Sequence, residues 1–400
     1  MHLGPIWRAS LRNKTGPVLI AIQIALTLAV LVNAVFIIQQ RIEKINRPTG
    51  MDVDNIVTVF SSGIGEDYDG QAQARLDQRA LEAIPGVVAV TSTIQAPLSG
   101  SGWGTVMKPA PGEDATRVNA AQYFVNEHGL EALGLRLESG RSFTEEDIRF
   151  PDNFNFKPES VIISRAFADA LFPDGGALGS AIYDNGDSPS TVIGIIERMH
   201  GSWVNWDKLE HTMLVPVVPP NSGMRYLIRT EPGERDRVMP QVEETLARLN
   251  DRRIVRDIET LTEIKDRSYV GDQGMAILLA VIVVLMVAVT GVGIVGLASF
   301  AVRQRVKQIG TRRAVGARRR DIVHYFMLEN WLITTAGVAL GTLLAFGINY
   351  WLVSSFELER INALYIPVGV LILWGLGLLA VAGPARRAAT ISPAVATRTI

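Results

Sequence analysis

Arg303-Gln304-Arg305-Val306-Lys307-Gln308-Ile309-Gly310-Thr311-Arg312-Arg313-Ala314-Val315-Gly316-Ala317-Arg318-Arg319-Arg320-Asp321 places eight Lys/Arg residues between two long apolar runs. Basic residues in short loops between apolar spans collect on the cytoplasmic side of a membrane, so this stretch orients the chain around it. Val302, Val306 and Ile309 form an i, i+4, i+7 stripe that is expected to continue the preceding helix past the membrane. Gly316 suits a left-handed C-terminal cap, and Arg318–Tyr325 then starts the next helix, with Ile322 and Phe326 one turn apart. The expected product is a helix–turn–helix hairpin whose small-residue tip, ringed by arginines, suits a groove in another protein. Plain attraction to anionic headgroups, roughly 1 kcal/mol per basic residue, accounts for the arginines but not for their order.

Outward from this loop lie four apolar runs, Pro17–Ile38, Met275–Phe300, Leu328–Val353 and Ala363–Ala382. Each is long enough to cross a hydrocarbon core of roughly 30 Å, which takes about 20 helical residues. Backbone groups in lipid must be satisfied internally, so each is read as a helix. The 48% hydrophobic content of the 400 residues and the mean hydropathy of +0.20 are thus concentrated in four places. Gly291 and Gly296 offer room for helix contact, but their spacing is not GxxxG. The first run follows Arg8, Arg12 and Lys14, as in a signal peptide, but it is too long for an ordinary h-region and is read as an uncleaved anchor.

The basic N-terminus, the basic loop and Arg386, Arg387 and Arg398 in the tail agree on one orientation, with both termini cytoplasmic. The turn Ser354–Asn362 holds one Arg against two Glu and faces the other side. The expected order is a cytoplasmic amphipathic segment at 1–16, spans at 17–38, 274–302, 328–353 and 363–383, a cytoplasmic loop at 303–327 and a tail at 384–400. Residues 39–273 then lie outside. The fold class is a membrane α-helical protein of four transmembrane helices, with a large extracytoplasmic α+β domain inserted between helices 1 and 2.

Within that domain, Asn55–Phe60 and Val87–Ile94 read as strands flanking a helix at Gln71–Ile84. Thr212–Val218, Arg225–Arg229 and Arg253–Ile258 read as strands, with a helix at Glu234–Asn250 before the last. These two groups, at about 52–114 and 206–262, predict a split, ferredoxin-like α+β layer. Residues 115–205 are expected to form an inserted subdomain, with strand, helix and strand at Ser160–Ser164, Arg165–Phe172 and Ser190–Ile196. Thr144 is the expected cap of a short helix at Glu145-Glu146-Asp147, which explains three acids there without catalysis.

The sequence offers little chemistry. It has no Gly-Lys dipeptide and so no Walker A loop, and Leu98-Ser99-Gly100-Ser101-Gly102 is read as a flexible loop. Histidines 2, 128, 200, 211 and 324 form no close metal pair, no G-x-S-x-G turn is present, and the absence of cysteine excludes disulfides and thiol catalysis. The net charge of −1 says little about partners, and the basic loop lacks the interleaved aromatics of a nucleic-acid module. Trp203 and Trp206 can touch a substrate or partner, or pack onto the domain or a membrane interface. Glu329 is expected close enough to the interface to be solvated, and Asn349 lies near the far end of its span.

Gln308-Ile309-Gly310-Thr311-Arg312-Arg313-Ala314-Val315-Gly316-Ala317, followed by Arg319-Arg320-Asp321-Ile322 and Glu329, resembles the R-E-I-G-x-R-[RK]-A-[LV]-G-A pattern of MacB/FtsX-type permeases of ABC transporters. Lys307-Gln308 stands where that pattern has Arg-Glu. The resemblance extends through Trp7-Arg8-Ala9-Ser10-Leu11-Arg12-Asn13-Lys14, Gly140-Arg141-Ser142-Phe143-Thr144-Glu145-Glu146-Asp147, Val161-Ile162-Ile163-Ser164-Arg165-Ala166-Phe167-Ala168, Val192-Ile193-Gly194-Ile195-Ile196 and Pro384-Ala385-Arg386-Arg387-Ala388-Ala389. Ser392-Pro393 also fits, while Val395 replaces a common Glu.

The resemblance implies a non-catalytic permease in a bacterial inner membrane, its large domain in the periplasm. It implies pairing with a second or sister permease and with cytoplasmic ATPase subunits that bind the ATP and Mg, this chain holding no cofactor. It further implies that Ile309, Gly310, Arg312, Arg313, Ala314, Gly316, Ala317, Arg319 and Arg320 meet the ATPase. Export of a peptide or antibiotic through an adaptor and outer-membrane channel is the expected task, with lipoprotein release and control of cell-wall hydrolases as competitors. A membrane-anchored sensor or adhesion protein is the alternative from another class.

Overall fold

The computed structural model describes residues 15–65, 68–356 and 364–392. The basic segment Trp7–Lys14, most of the turn Ser354–Asn362, and the tail from Pro393, with Val395 and Arg398, lie outside the described residues. The chain divides into two compact units, one of residues 47–270 and one of the flanking residues 1–46 and 271–400.

A long helix, α1 (Thr15–Ile45), comes first. Residues 47–270 carry β1 (Ile56–Gly63), α2 (Gly70–Glu82), β2 (Val87–Thr93), β3 (Trp103–Met107), β4 (Val118–Val125), α3 (Gly129–Leu133) and β5 (Leu137–Gly140). There follow β6 (Ser160–Ser164), α4 (Arg165–Leu171), β7 (Ala181–Tyr183), β8 (Pro189–Ile196), β9 (Thr212–Pro216), β10 (Gly223–Thr230), α5 (Arg235–Leu249), β11 (Arg253–Thr260) and α6 (Leu261–Ser268). The chain ends with α7 (Val270–Gln304), α8 (Val306–Ala314), α9 (Arg319–Phe356) and α10 (Tyr365–Ala389). Among the described residues, α1, α7, α9 and α10 are the helices long and apolar enough to cross a membrane.

In residues 47–270, four strands pair antiparallel in the order β11-β1-β10-β2. With α2 after β1 and α5 after β10, this is the split α+β layer that the sequence predicts. Asp69 starts α2 by accepting from the backbone N–H of Gln71 and Ala72. Val238, Val242 and Leu246, four apart, give α5 its fully buried face. Asp77 of α2 carries a charge into this layer, meeting the Arg253 guanidinium at 2.7 Å, the Tyr226 hydroxyl at 2.6 Å and the Gln73 amide at 2.8 Å.

The second sheet corrects the expected partition. Its order is β3-β4-β9-β6-β8-β5, with β7 also on β8. Thr212–Val218 was expected in the split layer, but β9 runs parallel to β4 and antiparallel to β6 at the centre of this second sheet. All five β9 residues are buried, as a central strand covered on both faces requires. β3, expected in the first half, pairs with β4. The inserted region therefore runs from the end of β2 to the start of β10 rather than over 115–205. Because β2 and β10 are neighbours in the four-stranded sheet, the insertion stands where a simple hairpin turn would join them. Lys108 and Tyr183 exchange backbone hydrogen bonds of 2.8 and 2.9 Å, drawing the two margins of the second sheet together. Phe124, Val161, Ile163, Phe167, Val192 and Met213 fill its core.

In the other unit, α9 packs closely on α1. A Cβ added at Gly337 would sit 2.8 Å from the Ala21 carbonyl oxygen, and one at Gly341 would sit 2.8 Å from that of Ala25. Gly337-Val338-Ala339-Leu340-Gly341 is a GxxxG step facing Ala21 and Ala25, the small-residue contact that lets membrane helices approach. The glycines singled out from sequence do less: Gly296 meets nothing within 4 Å, and a Cβ at Gly291 would only touch Leu376. The Thr27 and Thr290 hydroxyls bond at 2.7 Å, and Asn33 donates to the Ala29 and Ala345 carbonyls. Arg41 and Lys44 of α1 both pair with Asp272 near the start of α7.

Candidate functional site

The basic stretch forms a hairpin, and its hinge differs from expectation. The stripe of Val302, Val306 and Ile309 does not lie on one continuous helix. At Arg305 the backbone turns to φ −104 and ψ 13, separating α7 from α8. Buried contacts explain the break: Val302, on α7, and Ile309, on α8, belong to one apolar cluster with Ile322, Phe326, Ala385 and Ala388. Beyond the break at Arg305, Ile309 and Gly310 of α8 are buried.

Arg305 also meets Glu329 through Nη1 at 2.7 and 3.0 Å, with the Tyr325 hydroxyl at 3.5 Å. Glu329, expected to be solvated, is only 7% exposed and ion-paired. Sequence reasoning missed Arg305 as a functional position. Its signal was a basic residue at the foot of one span with an acid just inside the next.

The far end of α8 follows expectation. Gly316 has φ 103, the Ala317 N–H donates to the Arg312 carbonyl at 3.0 Å, and the Gly316 N–H donates to the Arg313 carbonyl at 3.1 Å. This double bond pattern is a Schellman cap, and its left-handed position favours glycine. Asp321 then accepts from the Arg318 backbone N–H at 2.9 Å, opening α9.

The nine positions tied to a partner divide into three groups. Ile309 and Gly310 are buried anchors. Arg312 lies over the Tyr325 ring at 4.9 Å, and half-buried Arg313 donates to the Ile391 carbonyl, so both also hold the hairpin together. Ala314, Gly316, Arg319 and Arg320 are exposed at the tip with half-buried Ala317, and Val315 there is 85% exposed. The hairpin thus has an anchored base bearing a solvent-facing patch of small residues and cations.

The paired tryptophans sit in the other unit. Trp203 and Trp206 are half-buried, meet edge to face at 5.7 Å, and wall a cleft of about 510 Å³ with Gly104, Thr105, Val106 and Ala120. Their loop is well tied. The His200 N–H donates to the Thr49 carbonyl, Arg47 reaches the Val204 carbonyl, and the N–H groups of Leu98 and Gly100 donate to Gly201 and Ser202. Leu98–Gly102, expected to be flexible, is therefore anchored. Burial pushes the His200 imidazole down to about 4, with Glu210 opposing and Arg47 and Arg198 adding to the shift. Thr144 caps the short turn Glu145–Asp147 as expected, and the Arg141 guanidinium holds the Asp147 carboxyl well below the usual range. Among the described residues, no group of three or more His, Asp or Glu is arranged to hold a metal ion.

The family profile described as MacB-like periplasmic core domain matches residues 18–249, more than half of the chain, and FtsX-like permease C-terminal matches residues 280–393. The chain belongs to the MacB/FtsX family of ABC transporter permeases. This permease is 29% identical over 289 residues to the macrolide export ATP-binding/permease protein MacB of Chromobacterium violaceum, covering 69% of the present chain and 43% of that protein. It is 26% identical over 416 residues to the MacB of Neisseria meningitidis serogroup A, covering 96% and 59%. The permease thus spans about half the length of these MacB relatives. An ABC transporter permease of Bacillus subtilis, YvrN, described as uncharacterized, is 25% identical and is matched over 99% of both chains. The crystal structure of the periplasmic region of MacB from Actinobacillus actinomycetemcomitans aligns with 56% of this permease and 97% of that chain, at 18% identity and a TM-score of 0.35.

Proposed function

We propose that this permease couples ATP hydrolysis by a separate cytoplasmic ATPase to movement of its periplasmic unit, exporting a peptide, antibiotic or similar compound across a bacterial inner membrane. The observation that carries the reading is the hairpin: buried Ile309 and Gly310 fix it, while Arg319, Arg320 and the Gly316 turn face solvent. A partner bound there pushes on α8, and through the Arg305–Glu329 pair on α7 and α9, the helices that α8 joins. The ATPase binds the ATP and Mg, a second permease copy or a sister permease completes the transporter, and an adaptor with an outer-membrane channel receives the cargo. The half-buried pair Trp203 and Trp206 supplies a periplasmic contact for cargo or adaptor. Lipoprotein release and hydrolase control use the same coupling and differ in what the outer unit holds.

The test is co-purification. Changing Arg319→Glu together with Arg320→Glu is expected to abolish association with the ATPase while membrane insertion persists, since neither side chain is buried. Undiminished association in that double variant sinks the docking role. Cross-linking from Trp206→Cys identifies the periplasmic partner and separates export from lipoprotein release and hydrolase control.

A further inference from the structure

A cavity of about 820 Å³ opens at the Arg305 end of the membrane helices, between the start of α1, the end of α7 and the foot of α9. Its volume falls in the range of sites that enclose a small ligand. One wall is apolar, formed by Leu19, Ile20, Leu297, Phe300, Ile333 and Val381. Leu19 and Phe300 are more than half exposed, so the cavity rim faces whatever surrounds the helices. The other end is polar and is formed by Gln304, Arg305, Gln308, Arg312, Tyr325 and Glu329. Arg305 and Glu329 neutralise one another. Arg312 forms no ion pair among the described residues and lies only over the Tyr325 ring. The cavity thus joins an apolar wall to one cation without an ion-pair partner among the described residues and several donors, at the depth where helices leave the hydrocarbon.

We propose that this cavity holds one anionic phospholipid, its phosphate against Arg312 and one acyl chain along Leu297 and Phe300. The chemistry selects a phosphate-bearing amphiphile: a free phosphate leaves the apolar wall unused, and a zwitterionic lipid brings no net charge for Arg312. The site rests on α1, α7 and α9 crossing a membrane, and not on the coupling role of the hairpin. Because it lies beside the Arg305 hinge, the bound lipid braces α8 against α9.

Native mass spectrometry of the full chain, extracted without any ATPase, reads the site directly. The expected result is one retained phosphatidylglycerol in preference to phosphatidylethanolamine. Retention falls about fivefold in Arg312→Gln, the factor matching one basic residue at a membrane surface. It falls equally in Ala301→Trp, which fills the cavity and leaves every cation in place; Ala301→Leu serves if the larger side chain blocks insertion. A preparation that retains no lipid, with the cavity occupied by other residues of the chain, overturns the proposal. So does retention that drops in Arg312→Gln but not in the filled variants, the mark of diffuse surface attraction. Displacement of the lipid by millimolar inorganic phosphate also overturns it, since the site then belongs to a free anion.

Discussion

The unit of residues 47–270 and the helical unit place their buried charges differently. In residues 47–270, Asp77 and Arg253 have side chains that are 0% and 1% exposed, and a charged pair sits within a split α+β core. In the helical unit Thr27, Thr290 and Asn33 are buried, neutral and bonded to a hydroxyl or a carbonyl, while the buried carboxylates Asp272 and Glu329 lie toward the ends of α7 and α9, paired with Arg41, Lys44 and Arg305. Water rewards apolar burial strongly enough to carry the desolvation of an ion pair, whereas lipid gives helices no such reward. The helical unit relies instead on close approach: 56% of the most apolar window of α1 is buried against Gly337, Gly341 and their neighbours, while only 11% of that of α7 is. Apolarity alone does not make a membrane helix pack; small residues opposite it do.

The contrast can be broken at graded cost. Arg253→Ala strips the buried Asp77 of its partner and is expected to destabilise the unit of residues 47–270 by about 3–5 kcal/mol, read by chemical unfolding; a change below 1 kcal/mol means the core charge is not isolated from water. His200 gives the next largest effect. Its folded pKa, about 4, lies below the ordinary value of 6.5, so the neutral form is the one that the fold favours. Its contribution is complete above pH 6.5 and is lost as pH falls toward 4, by at most about 3 kcal/mol. His200→Gln should flatten the fall in thermal midpoint across that window, and an unchanged slope would assign the pH dependence elsewhere.

In the helical unit, Gly341→Leu forces a side chain into the Ala25 backbone and is expected to cost about 1–3 kcal/mol, seen as a lower melting temperature in detergent. The smallest effects belong to α7. Thr290→Val removes the hydroxyl pair with Thr27 at about 0.6 kcal/mol, and Val292→Ala, at a site 73% exposed, should change melting by less than about 0.5 kcal/mol. A large loss at Val292 would show that α7 buries that face in an assembly.

Much of the architecture was legible in one dimension. The long apolar runs, the strand–helix–strand patterns and the glycine cap at Gly316 depend on local periodicity and local backbone conformation. The GxxxG step at 337–341 is equally readable, and it rather than Gly291 and Gly296 meets a neighbouring backbone. The seven-stranded sheet was not legible as such, because β9 has the same apolar composition whether it pairs with β10 or lies between β4 and β6. For the hairpin, spacing gave the turn and its cap but not the division of labour among its arginines. Arg312 and Arg313 look no different from Arg319 and Arg320 until Tyr325 and the Ile391 carbonyl are brought beside them.

Sequence by itself determined where the chain turns apolar, which loop carries the cations and where glycine must end a helix, since these follow from composition and from φ and ψ at single residues. Tertiary structure alone decided that the helix breaks at Arg305, that Glu329 is paired instead of solvated, and which helix faces α1. Those outcomes depend on contacts between residues far apart in the chain, where burial of Ile309 and the missing side chains at Gly337 and Gly341 outweigh any local preference.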